Sequence, residues 1–369
     1  MTGSSRRQVL GAIGGGSIAL LAAARTSAQS RPPARKLGYA IVGLGYYATQ
    51  QIMPQFRNCR HSRLVALVSG TPEKLARYGA EYGVPARNRY DYKSFDRIRD
   101  NPDIDIVYVV LPNNMHAEYT IRAARAGKHV MCEKPMAVSV AECQAMIAAC
   151  RAAGRKLMIG YRSRFEPHNR LAIELARKGE VGPTRVIIAQ HGFDAKPNQW
   201  RLDRRMAGGG SMMDIGIYSL NAARYLTGEE PVSVTAVDST DRRDPRFASV
   251  EDRVSFQLTF PSGIIADCLS SYSSNHNGYR VAGTEGHIDL EPATSYTGQR
   301  MSIRRGDQTS VRTVPPGDVN QFAGQLDHLS QCVIDGTDPI VGGEEGLADL
   351  RLIEAVYRAA REGRAVRLG

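Results

Sequence analysis

Apolar residues fall along this chain in two rhythms. Between residues 38 and 160, short continuous apolar runs alternate with stretches where apolar side chains return every three or four positions. The continuous runs are Gly38–Val42, Arg63–Ser69, Asp105–Leu111, His129–Cys132 and Lys156–Gly160. Their character is that of strands covered on both faces. Tyr46–Arg57, Glu73–Tyr82, His116–Ala126 and Val140–Ala153 carry helical spacing. Strand and helix alternating over short connections predict a parallel, doubly wound sheet. After residue 165 the rhythm changes. Helical patterns remain at His168–Arg177, Ser211–Tyr225, Gln321–Ile334 and Glu344–Arg361, but residues 231–314 mostly alternate between breaks of Gly, Pro, Asp and Ser. Arg253–Phe260 and Ile264–Tyr272, joined by Pro261-Ser262-Gly263, form the plainest pair. Such alternation predicts an antiparallel sheet with one face covered.

The expected fold class is therefore α/β. A doubly wound parallel (Rossmann) domain spans residues 37–161, and an α+β domain with a large, mostly antiparallel open sheet spans 162–369. The last helices are free to pack back on the first domain. A length of 369 residues suits two domains with cores of their own.

The N-terminus reads differently. Ser5-Arg6-Arg7-Gln8-Val9-Leu10 is a twin-arginine export pattern. The Gly- and Ala-rich apolar run Val9–Ala24 and the small residues Thr26-Ser27-Ala28 follow it, as in a cleaved signal. The run is shorter than the roughly 20 residues of a membrane span. Residues 1–28 are thus expected to be a removable signal that sends the protein to the periplasm and leaves no membrane anchor. Residues 29–36, with Pro32-Pro33, read as a short extended arm.

The formal charge of +11 is spread along the chain rather than gathered with aromatic residues, which argues against nucleic-acid binding. The six cysteines, Cys59, Cys132, Cys143, Cys150, Cys268 and Cys332, have neither CxxC nor zinc spacing, so no metal is expected. Cys143 and Cys150 lie seven apart on one expected helix and share its buried face. Structural thiols are the simplest reading.

Gly43-Leu44-Gly45-Tyr46-Tyr47-Ala48 follows the first strand and opens a helix, as a dinucleotide-binding turn does. The first Gly permits the tight turn, the second lets a pyrophosphate approach the backbone, and Ala48 keeps the helix close to the sheet. At the end of the second strand stands Ser69-Gly70-Thr71-Pro72-Glu73-Lys74 rather than a carboxylate that would bond a ribose 2′-hydroxyl. A hydroxyl and a lysine there suit a 2′-phosphate, so NADP is expected over NAD. Two more turns end strands at the same rim. They are Leu111-Pro112-Asn113-Asn114-Met115-His116 and Cys132-Glu133-Lys134-Pro135. Pro135 makes a rigid turn open to the cis form. A lysine at that rim, partly desolvated, can carry a proton or stabilise an alkoxide. Farther on, Gly208-Gly209-Gly210 opens a helix on which Asp214 and Tyr218 lie four residues apart. They read either as a proton-handling pair or as a helix cap beside a structural tyrosine.

The chain resembles the glucose–fructose oxidoreductase/inositol dehydrogenase family, above all its glucose–fructose and aldose–aldose types. The motifs that carry the resemblance are VGLGYYA (42–48), ALVSGTPEK (66–74), YDY (90–92), LPNNMHAE (111–118), AGKHVMCEKPMA (126–137) and LMIGYR (157–162). QWR (199–201), AGGGSMMDIGIYSLN (207–221), GEEPV (228–232), VEDRV (250–254) and QLDHL (325–329) extend it. By this resemblance Lys134 is the active-site lysine, Asp214 its orienting carboxylate, and Tyr218 a proton carrier where other relatives have His. Gly43, Leu44, Gly45, Tyr46 and Tyr47 form the glycine turn. Ser69, Gly70, Lys74 and Tyr92 contact the adenosine phosphate, and Leu111, Asn113, His116, Glu133 and Arg162 line the rest of the NADP site. Trp200, Arg201 and Tyr296 close over the cofactor, and Tyr161 faces the sugar with Lys134, Asp214 and Tyr218.

The resemblance also implies a ping-pong reaction. An aldose is oxidised at C1 to a lactone, NADP stays tightly bound, and a second sugar, fructose or an aldose, is reduced to an alditol. Export fits such pairing, because a folded protein can carry its cofactor out but must regenerate it in place. Two other functions compete: an aldose or inositol dehydrogenase that exchanges its cofactor, and a non-catalytic sugar-binding protein that holds NADP. Tyr46 stands where the fructose-reducing relatives have Lys, and the arm is shorter than the one that clasps a neighbouring subunit's NADP in those relatives. A homodimer packed through the open sheet is therefore expected ahead of a tetramer.

Overall fold

In this computed structural model the described residues are 35–314 and 320–368, so the expected signal and residues 29–34 of the arm lie outside them. The first domain is a six-stranded parallel sheet in the order β3-β2-β1-β4-β5-β6. Its strands are β1 (Leu37–Val42), β2 (Ser62–Val68), β3 (Arg89–Tyr90), β4 (Ile106–Val109), β5 (His129–Cys132) and β6 (Leu157–Ile159). Every residue of β1 and β4 is buried, which is why these strands read as unbroken apolar runs. β3 has only two residues, too few to leave a pattern in the sequence. The order reverses direction between β1 and β4, and this opens a crevice at the carboxyl ends of the strands.

The helices α1 (Pro72–Glu81), α2 (His116–Arg125) and α3 (Val140–Ala152) fall where the spacing puts them. The expected helix at Tyr46–Arg57 winds differently. Tyr47–Ile52 is a π-helical turn and Met53–Asn58 a 3₁₀ helix. Met53 N–H reaches back five residues to Ala48 O, and Pro54, with no N–H to give, forces the change of winding that follows.

In the second domain, α4 (Pro167–Arg177) leads to β7 (Thr184–Gly192), and the short helix α5 (Arg204–Ala207) precedes α6 (Ile217–Thr227). The strands β8 (Ser233–Asp238), β9 (Arg253–Thr259), β10 (Ile265–Ser271), β11 (His276–Gly283), β12 (Gly286–Leu290), β13 (Met301–Arg305) and β14 (Gln308–Arg312) follow. With β7 and β15 (Val366–Arg367) they make a nine-stranded sheet in the order β14-β13-β12-β11-β7-β10-β9-β8-β15. It is antiparallel except where β7 lies parallel to β10, so the sheet is mixed. β7 is a central strand that the reading of 231–314 alone misses. Its alternating burial belongs to a sheet covered on one face.

The last two long helices, α7 (Gln321–Asp335) and α8 (Gly343–Glu362), return to the first domain. Tyr39, fully buried in β1, donates its hydroxyl to Leu326 O at 2.8 Å. The Asp327 carboxylate accepts from His61 N–H and the Ser62 hydroxyl, both at 2.9 Å. Just before α8, Val341 O accepts Ile159 N–H at the far edge of the sheet. The two described arm residues are pinned as well: Arg35 forks onto Asp105 at 2.8 and 2.7 Å, and Lys36 Nζ reaches Cys59 O. All six cysteines are buried and unpaired. No helix among the described residues is long and apolar enough to cross a membrane.

Candidate active site

A cleft of about 1040 Å³ runs along the carboxyl ends of β1, β2, β4 and β5 and is roofed by the second domain. The glycine turn forms its floor. Gly43 has φ +97°, and a Cβ there would stand 2.2 Å from Val110 O, so only glycine fits. Gly45 is the opposite case, since a Cβ would meet no protein atom within 4 Å. Its open side lies in the cleft, at the start of a helical turn whose first bond runs from Thr49 N–H to Gly45 O.

At one end of the cleft stand Ser69, Gly70, Thr71, Lys74 and Tyr92, with no carboxylate among the lining residues there. Lys74 Nζ bonds Leu44 O at 3.0 Å and so arches over the end of the glycine turn. Gly70 lies flat against the Tyr92 ring, where a Cβ would be 3.0 Å away. These donors and the empty space over Gly45 fit a dinucleotide whose adenosine end carries an extra phosphate.

The other end gathers titratable side chains. Lys134 projects from the turn after β5, whose Lys134–Pro135 peptide is cis. Its Nζ is 2.6 Å from Asp214 O and 3.3 Å from Asp214 Oδ1, and it sits 4.8 Å from the centre of the Tyr218 ring. Asp214 Oδ2 accepts from the Tyr272 hydroxyl at 3.0 Å and pairs with Arg201 Nε at 3.0 Å. Burial would raise the Asp214 pKa, but Arg201, Lys134 and the Tyr272 hydrogen bond outweigh it and hold the value at about 2. The carboxylate is therefore a fixed negative charge that anchors Lys134. Beside them the buried Glu133 has its pKa raised by desolvation, and it accepts from the Tyr108 hydroxyl.

The helix bearing Asp214 and Tyr218 begins with a π-helical turn, Met212–Gly216, before α6. The wide turn alters the simple i, i+4 stacking expected of the pair, and such turns recur at functional sites. Its entry is held by Glu251, whose Oε1 accepts from Gly210 N–H at 2.8 Å, Met212 N–H at 3.0 Å and the Tyr357 hydroxyl at 2.8 Å. Gly210 passes so close that a Cβ would be 2.1 Å from Glu251 O.

Most of the expected residues meet in this cleft. Gly43, Leu44, Gly45, Tyr46, Tyr47, Ser69, Gly70, Lys74, Tyr92, Leu111, Asn113, Glu133, Lys134, Arg162, Trp200, Arg201, Asp214, Tyr218 and Tyr296 all line it. Arg162 lies 5.4 Å from the Tyr218 ring centre and 4.9 Å from that of Tyr296. Two residues do not. His116 is buried, and its ring nitrogens face Pro135 O at 2.8 Å and Leu111 O at 2.9 Å. It ties the two rim turns together from behind the cleft. Tyr161 is turned into the second domain, donates to the buried Asp349 and does not line the cleft in which the sugar was expected. Tyr272 escaped the motif reading. Its signal was the alternation Ala266, Cys268, Ser270, Tyr272, which continues the buried side of β10 one residue past the strand's end, to the residue that bonds Asp214.

Comparison with known proteins agrees with this geometry. Residues 37–161 match the model of the oxidoreductase family with an NAD-binding Rossmann fold (GFO_IDH_MocA), and residues 169–289 match the GFO/IDH/MocA C-terminal domain. The structure of aldose–aldose oxidoreductase from Caulobacter crescentus, complexed with glycerol, is 65% identical with a TM-score of 0.89, covering 90% of this chain and 100% of that one. A 3-ketoreductase from Actinomadura kijaniata, solved with NADP and TDP-benzene, is 25% identical with a TM-score of 0.78, covering 88% of this chain and 98% of its own. The D-xylose 1-dehydrogenase [NADP(+)] of Haloarcula marismortui is 31% identical over 340 residues, 89% of this chain and 92% of that protein. The chain belongs to the GFO/IDH/MocA family of oxidoreductases.

Proposed function

We propose that this NADP-dependent sugar oxidoreductase oxidises an aldose at C1 to the lactone and reduces a second sugar, fructose or an aldose, to the alditol, keeping one tightly held NADP throughout. The cluster of Lys134, Asp214 and Tyr218 supports this reading, because it puts two proton-carrying groups around one point at the reactive end of the cleft. The Caulobacter relative's description as an aldose–aldose oxidoreductase supports the paired reaction. NADP, when bound along the glycine turn, supplies the acceptor and later the donor of hydride.

The chain's own residues do the rest. Tyr218 and Lys134 face the C1 hydroxyl and take its proton as the C1–H bond breaks and the lactone C=O forms. Either of the two can hold the proton between the half-reactions. Asp214, ionised throughout, keeps Lys134 in place. After the lactone leaves, the second sugar offers an open-chain carbonyl, and the same pair returns the proton to oxygen as carbon receives hydride. Trp200 and Arg201 roof the cleft and help retain the cofactor. Export to the periplasm on residues 1–28 and a homodimer through the open sheet, or failing that a tetramer, complete the proposal.

The name of the Haloarcula relative supports a second reading, an NADP-dependent aldose 1-dehydrogenase with an exchangeable cofactor. One experiment separates them. The protein is purified with no added nicotinamide, and reduced-cofactor absorbance is followed as glucose or xylose and then a second sugar are supplied. A rise followed by a fall supports the paired reaction. A silent protein that turns over only with fresh NADP supports the dehydrogenase.

A further inference from the structure

Behind Tyr218, on the side away from the cleft, lies a separate cavity of about 30 Å³, walled by Tyr161, Ser163, His191, Tyr218, Tyr225 and Tyr279 among others. Its lining is mostly apolar, with Ile173, Ala222 and Leu226 among the walls, yet three unpaired polar atoms belong to it. Ser163 Oγ, His191 Nε2 and the Tyr225 hydroxyl are all buried without a hydrogen-bond partner. Buried polar atoms are costly to leave unpaired, and three around one space of this size call for a small polar occupant.

The direction of one of these bonds is fixed. Ser219 Oγ donates to Leu269 O at 2.9 Å, which leaves it to accept from His191 Nδ1 at 2.9 Å. His191 Nδ1 therefore carries the proton, and Nε2 offers a lone pair to the cavity. Burial, with Arg162 and His276 nearby, pushes the His191 pKa down to about 3, so the ring is neutral at working pH. An occupant at Nε2 must be a donor, and the two hydroxyls can each give or take a further bond, as water allows.

We propose that this cavity is a built-in water site and that His191, its fixed acceptor, is a positioning residue for Tyr218. The Tyr218 ring, with Thr294, lines both the cavity and the cleft, and lies 5.8 Å from the His191 ring centre to centre. Water anchored behind the ring denies it room to fall back. On the cleft side Lys134 and Arg162 press against the same ring. Tyr218 is thus held from both sides at the reach its proton transfer needs.

The water site stands whatever reaction the cleft performs, whereas the positioning role rests on the proposed part of Tyr218 in proton transfer. The first test is a high-resolution crystal structure of the unmodified protein. Water within hydrogen-bond distance of His191 Nε2 is expected, and a dry cavity overturns the proposal. The second is kinetic. His191→Leu removes the acceptor at similar volume and should lower kcat about tenfold with the aldose KM little changed, because the loss is one of alignment. His191→Gln, whose Oε1 reaches the position of Nε2, should restore most of the rate. A His191→Leu enzyme as fast as the parent, or a Gln variant no better than Leu, overturns the role. Should the histidine variants not fold, Tyr225→Phe and Ser163→Ala together keep the shape, and unchanged kcat in that protein overturns it equally. Tyr218→Phe is the control: if it turns over normally the proposed function fails, and if it alone is inactive only the role of His191 fails.

Discussion

Lys134 meets Asp214 twice, through the main-chain oxygen at 2.6 Å and through Oδ1 at 3.3 Å. The ammonium is thus tied to the helix that carries Tyr218 and not to the glycine turn. Replacing Lys134 by Ala should lower turnover by about a hundredfold or more, the scale of a lost acid–base group. Bound nicotinamide should stay at the parental level. Rate assays with cofactor quantification check both, and an Ala variant of full activity removes Lys134 from the mechanism.

Asp214 should leave a signature in acid. Its pKa falls from 3.8 in an unstructured chain to about 2 here, with Arg201 and Lys134 overcoming the cost of burial. Between those values the unfolded chain binds more protons than the folded one, so stability rises with pH across that window. The contribution, about 2 kcal/mol, is complete above pH ~4 and is lost as pH falls toward 2. Asp214→Asn should therefore melt below the parent at neutral pH, with the gap narrowing in acid. A gap that ignores pH contradicts the ion-pair cage.

Tyr161 offers a test of what the motif reading and the geometry say differently. Its hydroxyl donates to Asp349, which also accepts from Asn221 at 2.8 Å and Arg224 at 2.7 Å, all in the interior. Tyr161→Phe should cost about 1–3 kcal/mol of stability, the penalty for a buried partner left short. The aldose KM should not move. A raised KM with an unchanged melting temperature would return Tyr161 to the sugar site.

The first domain was legible because its information is local. A buried run, a glycine turn and a helix start follow one another at Gly38–Ala48, and the rim turns at Leu111 and Lys134 repeat that grammar. Residues whose role depends on distant partners were harder to read. His116 lies beside the rim in sequence, yet its ring is claimed from behind by the carbonyls of Leu111 and Pro135. Tyr272 joins Asp214 from 58 residues away, through the packing of β10 beneath a helix. His191 sits on β7, a strand whose alternation is visible only once its neighbours in the sheet are known. Motifs identify the residues of a turn; they do not say which way a buried ring points.

Ser69 is buried just past the end of β2 and accepts from Thr71 N–H at 3.2 Å. A carboxylate there would repel a 2′-phosphate and bond a free ribose hydroxyl instead. Ser69→Asp should shift the ratio of NAD to NADP affinity toward NAD by about tenfold or more. Titration of the cofactor-free protein with both nucleotides measures it, and an unmoved ratio sends the adenosine end elsewhere.

The two glycines of the turn should respond in opposite ways. Gly43→Ala needs a side chain at φ +97° with its Cβ 2.2 Å from Val110 O, and should cost about 3 kcal/mol or more of stability. Gly45→Ala meets no protein atom within 4 Å, so the cofactor-free protein should melt within about 0.5 kcal/mol of the parent. The added methyl group instead occupies the space where a pyrophosphate approaches the backbone, and NADP affinity should fall about tenfold or more. Melting curves without cofactor and binding curves with it separate the two effects. If Gly45→Ala holds NADP as tightly as the parent, the dinucleotide does not lie along this turn, and the orientation of the whole site, with Lys134 and Tyr218 at its reactive end, has to be redrawn.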